Sequence, residues 1–85
     1  MNIILPDWYD DLFQFECEAK GCVLNLEAVV DKCRRIFNFY DISRFVQEAK
    51  DELNENGYFI DNNAVIIPKV TKENIMRYLD SLEWS

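Results

Sequence analysis

The sequence contains no histidine and only two glycines among its 85 residues. Without histidine, Ser-His and Cys-His catalytic pairs cannot form, and the most common general base and metal ligand is missing. Neither glycine lies in a glycine-rich run, which excludes a loop that cradles phosphate. Carboxylates are abundant, but those of the predicted helices fall on solvent-facing stripes, where nothing desolvates them as acid–base catalysis usually requires. We therefore expect no enzymatic activity, no cofactor and no metal site.

Long apolar runs are missing as well. No segment approaches the roughly 20 apolar residues of a membrane helix, and no basic-then-apolar signal stands at the N-terminus. The three cysteines, Cys17, Cys22 and Cys33, are an odd number, and their spacing fits neither a disulfide framework nor a paired zinc motif. These features predict a cytosolic protein with reduced thiols.

Basic residues are few: nine Lys and Arg stand against sixteen Asp and Glu, which gives a net charge of −7. Because this charge repels phosphate, direct binding to nucleic acid or to an anionic membrane is disfavoured. A basic protein surface would instead be attracted. The alternative interpretation is that the charge only keeps a small protein soluble.

The length and the 49% hydrophobic content predict one domain that spans residues 1–85. Residues 2–5 are an apolar lead-in, either a strand or a packed tail. A first helix is expected from Pro6 or Asp7 to Lys20, with Gly21 ending it. One row of its helical wheel holds Trp8, Leu12, Phe15 and Ala19, and we expect the first three of these side chains in the core.

Two further helices are expected after a possible short strand at residues 22–24. Apolar residues recur at helical spacing over residues 26–40, which predicts a second helix of four turns. Asp41 is expected to cap a third helix that ends at Asn56-Gly57.

The hydrophobic period then changes. Residues 58–60 and 64–67 predict the two strands of a hairpin around an Asp-Asn-Asn tip, and Pro68 ends the second strand. Thr71 is expected to cap a last helix. The predicted fold is thus a small, mostly helical α+β domain, with three helices followed by a β-hairpin and a C-terminal helix.

This order of elements over residues 7–68 resembles a winged-helix domain. A winged helix that reads DNA presents Arg and Lys on its third helix. Here the outward stripe of that helix is acidic, so direct contact with DNA is disfavoured.

Candidate partner-binding residues fall into two acidic stripes and a set of aromatic anchors. The stripe on the first helix comprises Asp7, Asp10, Asp11 and Glu18. The stripe on the third helix comprises Glu48, Asp51, Glu52 and Glu55. The aromatic residues that lie off the predicted core rows are Tyr9, Phe13 and Phe39, with Trp84 as a further candidate. Carboxylates at helical spacing could imitate nucleic acid, and aromatic anchors would hold the complex; the alternative is that these aromatic side chains pack internally.

The combined profile is similar to that of the acidic inhibitors that phages and mobile elements use against nucleic-acid-handling enzymes, such as anti-CRISPR or anti-restriction proteins. We therefore expect a non-enzymatic protein that binds a larger partner with a basic surface, such as a nuclease or another nucleic-acid enzyme. Two alternatives remain open: a winged-helix-like DNA-binding regulator, and an antitoxin or immunity protein that neutralises a basic toxin.

Overall fold

A computed structural model describes residues 2–84 and shows a four-stranded sheet with three helices. In chain order the elements are β1 (Ile3–Ile4), α1 (Asp11–Lys20), β2 (Cys22–Val30), β3 (Cys33–Tyr40), α2 (Ile42–Asn56), β4 (Ala64–Ile66) and α3 (Lys72–Asp80). The strands lie in the order β1-β2-β3-β4, with antiparallel pairing up to β3 and parallel pairing between β3 and β4. Among these residues, no helix combines the length and the apolar character that a membrane span needs.

The prediction of a helix over residues 26–40 is wrong, because this segment forms most of the β2–β3 hairpin. The strands meet at a tight turn in which Asp31 has a positive φ of 54°, as hairpin turns require. Leu26, Ala28 and Val30 alternate along β2 and are buried. Other apolar residues of the segment recur at helical spacing, so residues 26–40 fit a helical period as well as strand alternation, and their β-branched and aromatic content favours the strand.

The predicted hairpin near the C-terminus is also wrong. Residues 58–60 form no strand, and β4 pairs with β3 instead. The Asp61 carboxylate explains this alignment, because it accepts hydrogen bonds from Asn38 Nδ2 at 3.1 Å, Tyr40 Oη at 3.0 Å and the backbone N–H of Asn63 at 3.0 Å. These bonds tie the loop to β3 and set β4 beside it. The order of three helices, hairpin and helix, and with it the winged-helix resemblance, therefore does not hold.

Helix ends that depend on capping residues are confirmed for α2 and α3. Asp41 Oδ1 accepts the backbone N–H of Arg44 at 2.8 Å, and Gly57 ends α2 in the left-handed conformation, with φ of 81°. Thr71 Oγ1 accepts the backbone N–H of Asn74 at 3.2 Å at the start of α3. Side-chain acceptors at these positions satisfy backbone donors that the first turn leaves free.

The core lies on the face of the sheet that α3 covers. Phe37 and Phe39 pack edge-on against Tyr78, with ring centroids 5.9 Å apart in each pair. Ile75 and Leu79 of α3 are completely buried. The buried cluster comprises Tyr9, Cys17, Val23, Leu26, Ala28, Phe37, Phe39, Ile67, Val70, Ile75 and Leu79.

The opposite face of the sheet is only partly covered. Phe45 of α2 packs on Tyr40 with ring centroids 5.5 Å apart, whereas Ile4, Ile36 and Ile66 on the same face are exposed. The accessible surface of 5959 Å² exceeds the roughly 5,300 Å² that is typical of a monomer of this mass. The exposed isoleucines leave apolar side chains on this face in contact with solvent.

Candidate interaction surface

α1 packs through the side opposite to the one that the sequence indicates. Cys17 is buried, whereas Leu12 and Phe15 are 70% and 73% exposed. Ala19 continues the same row one turn later and is also exposed. The prediction that Trp8, Leu12 and Phe15 belong to the core is therefore wrong. α1 carries two apolar rows, and the helical wheel alone does not tell which of them the sheet covers.

Carboxylates border the exposed apolar row on both sides. At about 100° per residue, Asp11 and Glu18 project from one side of this row and Glu16 from the other. All three side chains are exposed. We call this surface the α1 row; it consists of Leu12, Phe15 and Ala19 with Asp11, Glu16 and Glu18.

The segment before α1 adds two carboxylates and the ring of Trp8, which pairs with Phe13 of α1. Asp10 Oδ1 accepts the backbone N–H of Phe13 at 2.9 Å, and this cap starts the helix at Asp11 and not near Asp7. Asp7 and Asp10 are exposed. Trp8 packs edge-on against Phe13, with ring centroids 5.2 Å apart, and both rings stay accessible. Phe13 is therefore available to a partner at the margin of the α1 row.

Two aromatic residues that the sequence suggested as anchors are buried. Tyr9 is only 4% exposed, and Phe39 packs between Phe37 and Tyr78 with no exposed area. Burial raises the pKa of Tyr9 to about 12, and the neighbouring Cys17 adds to the shift. Neither side chain reaches the surface. The hypothesis that Phe39 points away from the core depended on the incorrect helix over its segment.

Two carboxylates of the acidic stripe on α2 are engaged within the helix. Arg44 Nη2 lies 2.8 Å from Glu48 Oε1, and Asn56 Nδ2 donates to Glu52 Oε2 at 2.7 Å. Both glutamates are half-buried. The exposed members of the stripe are Asp51 and Glu55.

α2 also exposes an apolar row, but this row does not lie beside its carboxylates. Ile42, Val46 and Leu53 follow one another at helical spacing and are exposed. At about 100° per residue, the acidic stripe projects from roughly the opposite side of the helix. A single partner surface cannot readily cover both features of α2, whereas it can cover both features of α1.

The buried cysteine on α1 offers no reactive thiol. All three are free, and Cys17 is buried. Burial, followed by the nearby Cys22, raises the pKa of the Cys17 thiol to about 11, so it stays protonated and unreactive at neutral pH. Within residues 2–84, no group of three potential metal ligands lies close together.

The α1 row and the residues at its margin therefore include five of the residues that the sequence suggested for partner binding: Asp7, Asp10, Asp11, Phe13 and Glu18. Sequence reasoning missed Leu12 and Phe15, the most exposed anchors on α1. No signal in the sequence identifies this row, because the helical wheel places carboxylates near both apolar rows of α1 and does not tell which row the sheet covers. Comparison of the chain with protein-family models, with curated proteins and with solved structures gave no match.

Proposed function

We propose that this protein is a non-enzymatic binding protein that occupies a site on a larger protein through the α1 row. The observation that carries the proposal is the exposure of Leu12 and Phe15 on a helix whose neighbouring positions are carboxylates. Exposed apolar surface with a polar rim is the usual mark of a protein interaction site.

Apolar anchors supply the affinity in this proposal. A Leu or Phe side chain gains about 1.5–3 kcal/mol when it is fully buried. Leu12 and Phe15 are 70% and 73% exposed, so most of that burial is still to be gained. Trp8 and Phe13 extend the apolar area at the margin, and large aromatic side chains are frequent among the residues that dominate binding energy.

The carboxylates define the chemistry of the partner. Asp11, Glu16 and Glu18 around the anchors complement an apolar groove bordered by Lys and Arg, and a net charge of −7 accelerates the encounter with such a surface. A cleft that normally holds nucleic acid has this basic character. We therefore propose that the partner is a nucleic-acid-handling enzyme, such as a nuclease, and that binding blocks its substrate cleft.

The test compares two baits in a bacterial lysate: the wild-type chain and the variant Leu12→Ser/Phe15→Ser. A protein retained by wild type alone is purified, and its Kd for each form is measured by titration. We expect the double variant to lose at least about tenfold in affinity, since two anchors are removed. We also expect duplex DNA or RNA to compete with the wild-type chain for the purified partner.

A matched control is Tyr58→Ser/Ile60→Ser. These side chains are 62% and 71% exposed but lie in the loop before β4. The control should bind as wild type does, and both variants should unfold in urea within about 0.5 kcal/mol of wild type, because exposed positions contribute little to stability. A purified partner that binds the α1 variant as tightly as the wild-type chain would refute the proposal.

A further inference from the structure

A second site lies at the edge of β3, away from the α1 row. A cavity of about 300 Å³ opens there between β3, the loop before β4 and α3. This volume matches the small end of the range for ligand sites. The residues that line it include Arg35, Ile36, Asn62, Asn63 and Tyr78.

The cavity lies where β3 has no strand beside it. The backbone N–H of Asn38 donates to Asn63 O at 2.9 Å, and Tyr40 O accepts the N–H of Ile67 at 2.9 Å. Backbone groups that point to one side of a strand recur at every second residue. Ile36 therefore also directs its N–H and C=O toward this side, but β4 begins to pair only at Asn38.

Arg35 gives the cavity a fixed positive charge. Its guanidinium carbon lies 5.2 Å from the Phe37 ring centroid and 5.7 Å from the Trp84 ring centroid. Trp84 is itself held by a hydrogen bond from Nε1 to Leu79 O at 3.0 Å. Among residues 2–84, the ion pairs of the structure are made by other arginines.

The remaining polar lining consists of two amides and one phenol. Asn62 and Asn63 are exposed at the rim, and Asp61 fixes the turn that carries them by accepting the N–H of Asn63 at 3.0 Å. Within the described part of the chain, no carboxylate lines the cavity. In a chain with a net charge of −7, this site is thus suited to a carboxylate, which a guanidinium binds through two parallel hydrogen bonds.

From the free backbone edge and the guanidinium together, we propose that this cleft binds an extended peptide segment of a partner protein. The segment pairs with Ile36 as an added strand in line with β4, and an Asp or Glu side chain within it bonds to Arg35. Strand addition supplies main-chain hydrogen bonds, and a pocket for one side chain supplies selectivity.

The test starts from random octapeptides displayed on phage and selected against the wild-type chain. Enriched sequences are synthesised with an amidated C-terminus, so that only a side chain can supply the carboxylate, and their Kd is measured by fluorescence anisotropy. We expect one acidic residue at a fixed position. We also expect Arg35→Gln to weaken binding by about tenfold or more, since a charge-assisted hydrogen bond is lost.

The matched control is Arg34→Gln, because Arg34 lies on the other face of the sheet, 3.8 Å from Glu27. This variant should bind the peptide within about twofold of wild type. Peptides that are N-methylated at one backbone position each test strand pairing without any change to the protein. Methylation at alternate positions should abolish binding, and methylation at the positions between them should not. The variant Leu12→Ser/Phe15→Ser should bind the peptide as tightly as the wild-type chain does. The proposal for this site and the proposal for the α1 row can therefore be refuted independently.

The proposal would be overturned if no peptide were enriched, if both arginine variants weakened binding equally, or if N-methylation had no period of two.

Discussion

Replacing Tyr9 by Phe should stabilise the protein, although Tyr9 is a core residue. Its side chain is 4% exposed, and among residues 2–84 its hydroxyl has no hydrogen-bond partner. A buried polar group without a partner costs about 1–3 kcal/mol. Tyr9→Phe removes that cost and keeps the packed ring, so we expect the free energy of unfolding to rise by about 1 kcal/mol or more.

Tyr40 provides the opposite case. Its hydroxyl donates to Asp61 Oδ2 at 3.0 Å, and the residue is equally buried. Tyr40→Phe leaves a carboxylate without one of its donors, and a hydrogen bond to a charged group contributes about 1.5–3 kcal/mol. We therefore expect Tyr40→Phe to destabilise the protein by about that amount. Urea unfolding at pH 7, followed by tryptophan fluorescence, measures both changes.

The pH dependence gives a second check on Tyr9. Burial raises its pKa from 10.0 to about 12 in the folded chain, so above pH 10 the unfolded chain releases a proton that the folded chain keeps. The contribution of Tyr9 to the free energy of unfolding is fully present below pH 10 and is lost as the pH rises to 12. At pH 11 the loss amounts to about 1.4 kcal/mol. The advantage of Tyr9→Phe over wild type should grow by that amount between pH 7 and pH 11.

A clear destabilisation by Tyr9→Phe at pH 7 would refute the reasoning, because it would mean that the hydroxyl has a partner. An advantage that stays constant up to pH 11 would contradict the raised pKa.

Two further predictions test the turns and helix ends. Asp31→Gly should keep or slightly raise the stability of the protein, because the residue has φ of 54°, whereas Asp31→Val should cost about 1–2 kcal/mol. If the segment were a helix, Gly would be the more destabilising of the two residues. Urea unfolding of both variants therefore distinguishes the hairpin from the helix. Gly21→Ala should cost about 2–4 kcal/mol, because the residue has φ of 77° and its new Cβ would lie 2.5 Å from the Asp41 carboxylate that caps α2. At Gly57, where φ is 81°, an added Cβ would meet no non-neighbouring atom of residues 2–84 within 4 Å, so Gly57→Ala should cost only about 1–2 kcal/mol. Equal losses for the two variants in thermal unfolding would contradict the close approach at Gly21.

Features that depend on a few neighbouring residues could be predicted from the sequence. Asp41, Gly57 and Thr71 lie where backbone groups at helix ends need a side-chain acceptor or a left-handed residue. These signals act within one turn, so tertiary structure does not have to be known. The start and the end of α2 and the start of α3 were predicted correctly for this reason.

The β2–β3 hairpin and the place of β4 depend on contacts between distant residues. Val29-Val30 and Ile36-Phe37 are adjacent apolar pairs, which satisfy a helical period as well as a strand. The pairing of Phe39 with Val65 places β4 beside β3 in the sheet, and no local sequence pattern predicts this pairing. Periodicity therefore could not settle the fold of residues 26–40.

For the candidate site, the charge could be predicted but the anchors could not. Carboxylates next to α1 remain exposed as expected, since their burial would be costly. The apolar rows were assigned the wrong way round, with Phe15 placed in the core and Tyr9 at the surface. Which row the sheet covers depends on how α1 lies on β2, and this is a tertiary property.

The most direct test of the α1 proposal is the footprint of the purified partner on the isotope-labelled protein. Backbone amide signals are compared with and without the partner by NMR. We predict that the largest changes fall on residues 8–20, around Leu12 and Phe15, and that added salt weakens the complex, as expected for carboxylates facing a basic surface. Changes confined to α2 or to the edge of β3, with α1 unaffected, would contradict it.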